Sequence, residues 1–233
     1  MYYNQYRFLR FLEKTLGNWN LMKYKLAIFD FDGTMADTFP FLLSVIDHLA
    51  DKYHLNRIDP ADIEKLRGLH VREMIRLFQI PFWKIPLIGR HVKSLMSRNT
   101  DQISLFDGID AVIKDLNDLG IILVVVSSNS YDNIIKVLGM ETAALFSHFE
   151  CGSSIYGKHG RFKKVLKKFN IDPSEVIAIG DEIRDIEASH KMKISCGAVT
   201  WGYTNIEALR SYEPTHIFNS VADITGLLAG SQA

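Results

Sequence analysis

One stretch, Leu26 to Thr38, LAIFDFDGTMADT, constrains this chain more than any other. An uninterrupted apolar run, Leu26, Ala27, Ile28 and Phe29, delivers two carboxylates, Asp30 and Asp32, and then stops at Gly33. A strand that is apolar on both faces belongs inside a parallel sheet with helices on either side. In open sheets of that kind ligands collect beyond the carboxyl ends of the strands, so the two acids stand where chemistry is done. Carboxylates this close repel each other and resist desolvation, and a divalent cation relieves both penalties. A solvated Asp-Gly turn is the plainer alternative, and the rest of the chain decides between them.

After Thr38 the apolar spacing becomes helical. Phe41, Leu42, Val45, Ile46 and Leu49 share one face, and Ile63, Leu66, Val71, Met74, Ile75 and Phe78 continue in the same style. Pro81, Pro86 and Gly89 break the pattern around Phe82 and Trp83, before an amphipathic piece from His91 to Met96. No strand pattern returns until Ile121. Residues 39–104 therefore read as an all-helical insert with attachment points near Phe39 and Leu105, able to swing as a lid.

Beyond the insert, strands and helices alternate. Gly108 to Leu119 reads as a helix, and IILVVVSSNS as a buried strand ending in Ser127, Ser128 and Asn129. Asp132 to Leu138 follows as a helix and Phe149 to Cys151 as a short strand. Arg161 to Phe169 is a basic amphipathic helix, and Val176 to Ile179 is a strand that delivers Gly180, Asp181 and then Asp185. Ile186 to Lys191 is helical, Ile194 to Thr200 a strand, TWGY a loop, Thr215 to Phe218 an edge strand and Val221 to Leu228 a terminal helix. This alternation implies an α/β fold, a Rossmann-like, doubly wound parallel sheet formed by residues 22–38 and 105–233.

Residues 1–21 read as a leader in which Leu9, Leu12 and Leu16 recur at helical spacing opposite Arg7, Arg10 and Lys14. A short helix on the core and a targeting helix both fit, as does a natural start at Met22. The charge balance, 27 basic against 27 acidic residues, creates no global field for nucleic acid or an anionic membrane. Cys151 and Cys196 lack metal-site or disulfide-framework spacing, which points to a reduced, cytoplasmic compartment. The longest apolar run, Leu119 to Val126, is far shorter than the ~20 residues of a membrane span. Neither nucleic acid nor membrane is expected as a partner.

Three strand ends thus carry polar groups: Asp30 with Asp32, Ser127 with Asn129, and Asp181 with Asp185. A shared parallel sheet brings them to one edge. DFDGT, SSN, the lysine of YGKHGRF and GDEIRD, in that order and each in place after its strand, resemble the motifs of the haloacid dehalogenase superfamily in its phosphoglycolate phosphatase-like branch. The resemblance runs from about Lys25 to Leu228.

That resemblance implies a Mg²⁺-dependent phosphatase of a small phosphorylated metabolite, phosphoglycolate-like or a sugar phosphate. It makes Asp30 the nucleophile that forms an aspartyl phosphate, and Asp32 the general acid and then base. Asp30, the Asp32 carbonyl, Asp181 and Asp185 would hold the metal, with Glu182 close by. Ser127 would bind the phosphoryl group through its hydroxyl with Ser128 as rival for that role, and Gly33, Thr34, Ser128 and Asn129 would complete the phosphate-binding set. Lys158 would neutralise the phosphoryl charge, with Lys163 and Lys164 as rivals. The helical insert corresponds to the family's cap, in which LRGLHVRE resembles the loop that dips into the active site. Arg67, Gly68, His70 and Arg72 are then substrate-recognition candidates, while Trp201 and Tyr203 either border the pocket or close the core. A sugar phosphomutase keeps the same groups and stays open as an alternative. A metal-free dehalogenase is disfavoured by Asp32, and a silent binding protein by the presence of all four acids. A monomer and a homodimer both fit.

Overall fold

The computed structural model describes residues 22–152 and 157–230, the side chains of Pro60, Lys65 and Val71 excepted. The leader helix expected in residues 1–21 lies outside them. Six parallel strands form one sheet in the order β3-β2-β1-β4-β5-β6. They are β1 (Leu26–Phe29), β2 (Ile122–Val126), β3 (His148–Glu150), β4 (Val176–Gly180), β5 (Ser195–Val199) and β6 (His216–Phe218).

The apolar run of β1 is explained by its place at the centre. Leu26 and Ile28 point to one face, where Phe162 and Val165 pack, while Ala27 and Phe29 point to the other, against Ile109, Ile113 and Leu116. All four residues of β1 are 0–1% exposed, so neither face tolerates a polar side chain. Helices α5 (Ile109–Asp118), α6 (Tyr131–Ala143) and α10 (Val221–Leu228) supply one layer, and α7 (Lys158–Phe169) and α8 (Ile183–Met192) the other. Helix α5 stops before Gly120, whose φ of 84° turns the chain into β2.

Between β1 and α5 the described backbone contains α1 (Phe39–Tyr53), α2 (Ile63–Leu66), α3 (Val71–Leu77) and α4 (Ile85–Arg98), with 3₁₀ turns before α2, before α4 and after α4. The chain enters and leaves this segment side by side: Asp37 N–H donates to Ser104 at 2.9 Å, and Phe106 N–H to Met35 at 2.9 Å. Helix α4 differs from the sequence expectation, because it begins at Ile85 and runs through both Pro86 and Gly89. Pro86 lies in the first helical turn, where its missing N–H leaves no bond unmade. A further helix, α9 (Ile206–Ser211), occupies sequence read as following a plain loop. Its signal is Asn205, whose side chain caps Ala208 N–H at 3.0 Å.

Sheet order places the crevice between β1 and β4. From β1 the chain builds β2 and β3 on one side, then returns to add β4 on the other, which makes that junction the point where strand order reverses. Phe29 pairs with Val125 and Ile179, so the residues that follow each strand emerge at one edge.

Candidate active site

Asp30 continues β1 by one hydrogen bond, donating its N–H to Ile179 at 2.9 Å, which sets it beside the end of β4. Asp181 follows β4, and Asp185 lies on the first turn of α8. One carboxylate oxygen from each of Asp30, Asp181 and Asp185 lies within 4.8 Å of the others, and all three residues are at most 2% exposed.

The backbone around these acids is stripped of side chains to make room. A Cβ added at Gly33 or Gly202 would stand 2.3 or 2.2 Å from Asp181, and one at Gly180 would stand 2.3 Å from Asp185. Thr34 Oγ1 donates to Asp181 Oδ1 at 2.8 Å, and Tyr203 N–H donates to Oδ2 at 2.7 Å. Trp201 Nε1–H closes the same corner by donating to the Thr34 carbonyl at 3.1 Å. Burial, reinforced by Glu182, Asp30 and Asp185, pushes the Asp181 carboxyl well above its ordinary value. Burial also raises Asp185, to about 6, although Lys158 pulls the other way. Three desolvated, mutually repelling carboxylates form an oxygen-only donor set that fits a hard divalent cation such as Mg²⁺.

Lys158, the first residue of α7, reaches into this group. Its Nζ donates to Asp30 Oδ2 at 2.6 Å and is paired with Asp185. Burial alone favours the neutral amine, yet Asp185 and Asp30 outweigh it and raise the lysine above its usual value. Lys163 is exposed, and Lys164 pairs with Glu150 at 2.7 Å. Lys158 is thus the member of the trio that meets the acids.

Asp32 has different company. Its carboxylate accepts from Asn129 Nδ2 at 3.0 and 3.2 Å, and its pKa is pushed up to about 7, by burial first and Asp30 second. A carboxyl of that strength exchanges a proton readily near neutrality. Asn129 is itself held: its N–H donates to Ser127 Oγ at 3.0 Å, and its Oδ1 accepts from Asn133 Nδ2 at 3.1 Å. Ser127 is 1% exposed, whereas Ser128 is half-buried. In this geometry the side chain of Asn129 orients Asp32, and that of Thr34 orients Asp181.

The helical segment meets this edge through Arg67 and His70. Arg67 donates to Glu64 Oε1 at 2.9 Å, to the Gly202 carbonyl at 2.8 Å and to the Tyr203 carbonyl at 3.1 Å, and lies over the Phe39 ring. His70 caps α3, its Nδ1 accepting from Arg72 N–H at 3.0 Å, while its Nε2 lies 3.3 Å from Glu187 on α8. Gly68 is half-buried in the turn between them. Arg72 is exposed and borders a small cleft with Lys158, His159 and Lys191. A larger cavity, of about 110 Å³, opens between α1, α2, α3 and the core loops after β4 and β5.

Arg184 and Tyr203 are the residues that sequence reasoning undervalued. Arg184 pairs with Glu182 at 2.5 Å, and the nearby acids outweigh burial to hold it charged. Tyr203 bonds Thr38 through their hydroxyls at 2.5 Å, and its phenol is raised by burial and then by the Asp32 charge. Arg184 lies inside the GDEIRD motif and was legible as a charge beside the acids; Tyr203 comes from a loop far along the chain.

Residues 27–199, from β1 to the end of β5, match the profile of the haloacid dehalogenase-like hydrolases. The chain is 27% identical over 198 residues to a phosphoglycolate phosphatase of Synechococcus elongatus, covering 84% of this chain and 93% of that protein. It is 28% identical over 216 residues to a phosphoglycolate phosphatase of Agrobacterium fabrum, covering 87% and 91%. Its fold is similar to that of a haloacid dehalogenase-like family hydrolase from Streptococcus pneumoniae, with a TM-score of 0.73 at 18% identity over 90% of this chain and 99% of that one.

Proposed function

Because this chain belongs to the haloacid dehalogenase-like hydrolases and is a phosphatase of that family, we propose that it cleaves a small phosphate monoester through an aspartyl phosphate on Asp30. The observation that carries the reading is the contrast between two acids two residues apart. Asp30 faces Lys158 and the other buried carboxylates, whereas Asp32 faces Asn129 and has an acidity near neutrality.

Asp30, Asp181, Asp185 and the backbone carbonyl of Asp32 would hold Mg²⁺. When bound, the ion supplies the positive charge that lets an anionic phosphoryl group approach an anionic nucleophile. In the first step an Asp30 carboxylate oxygen bonds to phosphorus as the ester oxygen departs, and Asp32 gives that oxygen its proton. In the second, Asp32 takes a proton from water, whose oxygen attacks phosphorus and returns Asp30 as a carboxylate. Splitting the displacement in this way replaces one difficult step by two easier ones. Lys158 and Ser127 steady the phosphoryl oxygens, the lysine as a point charge and the serine as a hydroxyl donor. Residues 39–104 serve as the cap, with Gly68 on the cap loop that follows Arg67 and Arg72 in the first turn of α3.

The relatives' name, phosphoglycolate phosphatase, supports a small ester as substrate. Two free cysteines and the lack of a membrane-crossing helix among the described residues accord with a cytoplasmic enzyme. Asp30→Asn assayed on a simple phosphate ester with Mg²⁺ tests the nucleophile. Hydrolysis is expected to fall to background, and turnover at the unmodified rate would overturn the aspartyl-phosphate route.

A further inference from the structure

The cavity between the helical segment and the core has walls that do not suit an anion. Phe39, Leu42, Ile46, Leu66, Leu69 and Met74 line it. Seating a carboxylate against such a wall costs its hydration and returns little, unless a cation is free to meet it. The charges of the two arginines at its border are already matched, Arg67 by Glu64 and Arg184 by Glu182, and of their donors to this wall only the Arg184 Nε–H lacks a partner.

The same cavity borders the acid cluster. Tyr203 lines it, and the same residue donates its N–H to Asp181 Oδ2 at 2.7 Å, bonds Thr38 through its hydroxyl and meets the Phe39 ring at 5.4 Å. Asp32 is the acid assigned to the departing oxygen, and its backbone bridges to Ala36, two residues before Thr38, so this cavity is the nearest room for whatever that oxygen carries. Resting on the phosphatase reading above, we propose that the cavity takes the organic part of the substrate and that this part is apolar: the enzyme prefers phosphate monoesters of short alkyl or aryl alcohols to phosphoglycolate. A cavity of 150 Å³ lined by comparable side chains accepts benzene. One of about 110 Å³ therefore suits a chain of roughly four carbons.

The discriminating experiment is a length series of n-alkyl phosphates, ethyl to hexyl, assayed with Mg²⁺ beside phosphoglycolate, with Asp30→Asn as the blank. Within the series the reactivity of the departing alkoxide barely changes, so the trend reads burial. Expected is a rise in kcat/KM of about four-fold per added methylene, levelling once the cavity is full, with butyl phosphate at least ten-fold better than phosphoglycolate. Leu42→Lys, on a half-buried position of the wall, is expected to flatten the series through KM and to narrow the gap to phosphoglycolate. A flat series in the unmodified enzyme overturns the proposal and leaves the phosphatase reading intact. So does a clear preference for phosphoglycolate, which would assign its carboxylate to Arg184, whose buried Nε lacks a partner. If no ester is turned over above the Asp30→Asn blank, the phosphatase reading falls and this inference falls with it.

Discussion

Replacing Gly202 by alanine is the sharpest test of how the acid cluster is built. The added Cβ would lie 2.2 Å from Asp181 Cβ and 2.5 Å from its Cγ. Carbon atoms rest at about 3.5–4.0 Å, so the overlap exceeds an ångström. Rotation about χ1 moves a carboxylate but leaves Cβ in place, and Asp181 can yield only by shifting its backbone at the end of β4. Gly202 does not have a positive φ, so alanine meets no conformational penalty and the contact alone determines the outcome. Overpacking of this kind costs about 1–3 kcal/mol, and the upper end applies where the obstacle is a Cβ. At about 2–4 °C per kcal/mol for a chain of this size, the melting temperature should drop by about 6–12 °C. Misplacing an acid by about 1 Å can cost ~100-fold in rate. The assay pairs thermal unfolding with steady-state hydrolysis across a Mg²⁺ titration. Gly226→Ala is the control, since the new methyl meets nothing within 4 Å inside α10 and should stabilise by about 0.5–1 kcal/mol. A Gly202→Ala enzyme with the parent's stability, rate and Mg²⁺ requirement would refute the packing argument.

Arg67→Met keeps much of the stem over Phe39 but removes the donors to Gly202 and Tyr203; a loss of about 1.5–3 kcal/mol and faster proteolysis within residues 39–104 are expected, and an unchanged cleavage pattern would count against the tie. Asp32 is raised in the folded state, to about 7, so it favours the folded protein fully below about pH 4 and that advantage is lost as pH rises to about 7. In chelator, Asp32→Asn should therefore gain on the parent between pH 4 and 7, by up to about 4 kcal/mol, and should gain nothing further above it. Parallel melting curves of the two proteins across that range would contradict the assignment. Ser127→Ala should lower hydrolysis at least ten-fold and Ser128→Ala much less, because Ser127 is the buried hydroxyl that also receives the Asn129 amide; equal losses would reopen the choice.

Much of this arrangement could be read from residue order. The run Leu26 to Phe29 had to be a central strand because nothing polar interrupts it, and the same logic found β2 and β4. Since strands of one parallel sheet end on one edge, Asp30, Ser127 and Asp181 followed as neighbours. Lys158 required more. Its helix begins three residues before the amphipathic pattern at Arg161, and only the fold carries its amine to Asp30. The run through Pro86 was misread because proline disrupts a helix interior but not its first turn. The partners of Asn129 and Arg67 were beyond periodicity altogether. Both side chains choose between a ligand and the protein, and that choice depends on angles between elements far apart in the chain.

A single peptide unit joins the helical segment to the acids. The N–H of Tyr203 holds Asp181, and the carbonyl of the same unit, that of Gly202, is held by Arg67. The next link repeats the connection, with Asn205 N–H donating to the Arg67 carbonyl at 3.0 Å. Drawing α2 outward therefore pulls on one end of an amide whose other end grips a carboxylate of the Asp30, Asp181 and Asp185 cluster. Under the proposed function, admission of the ester and tightness toward the cation would be a shared variable: affinity for Mg²⁺ would report how residues 39–104 sit, and ester that draws them inward would strengthen the grip on the ion.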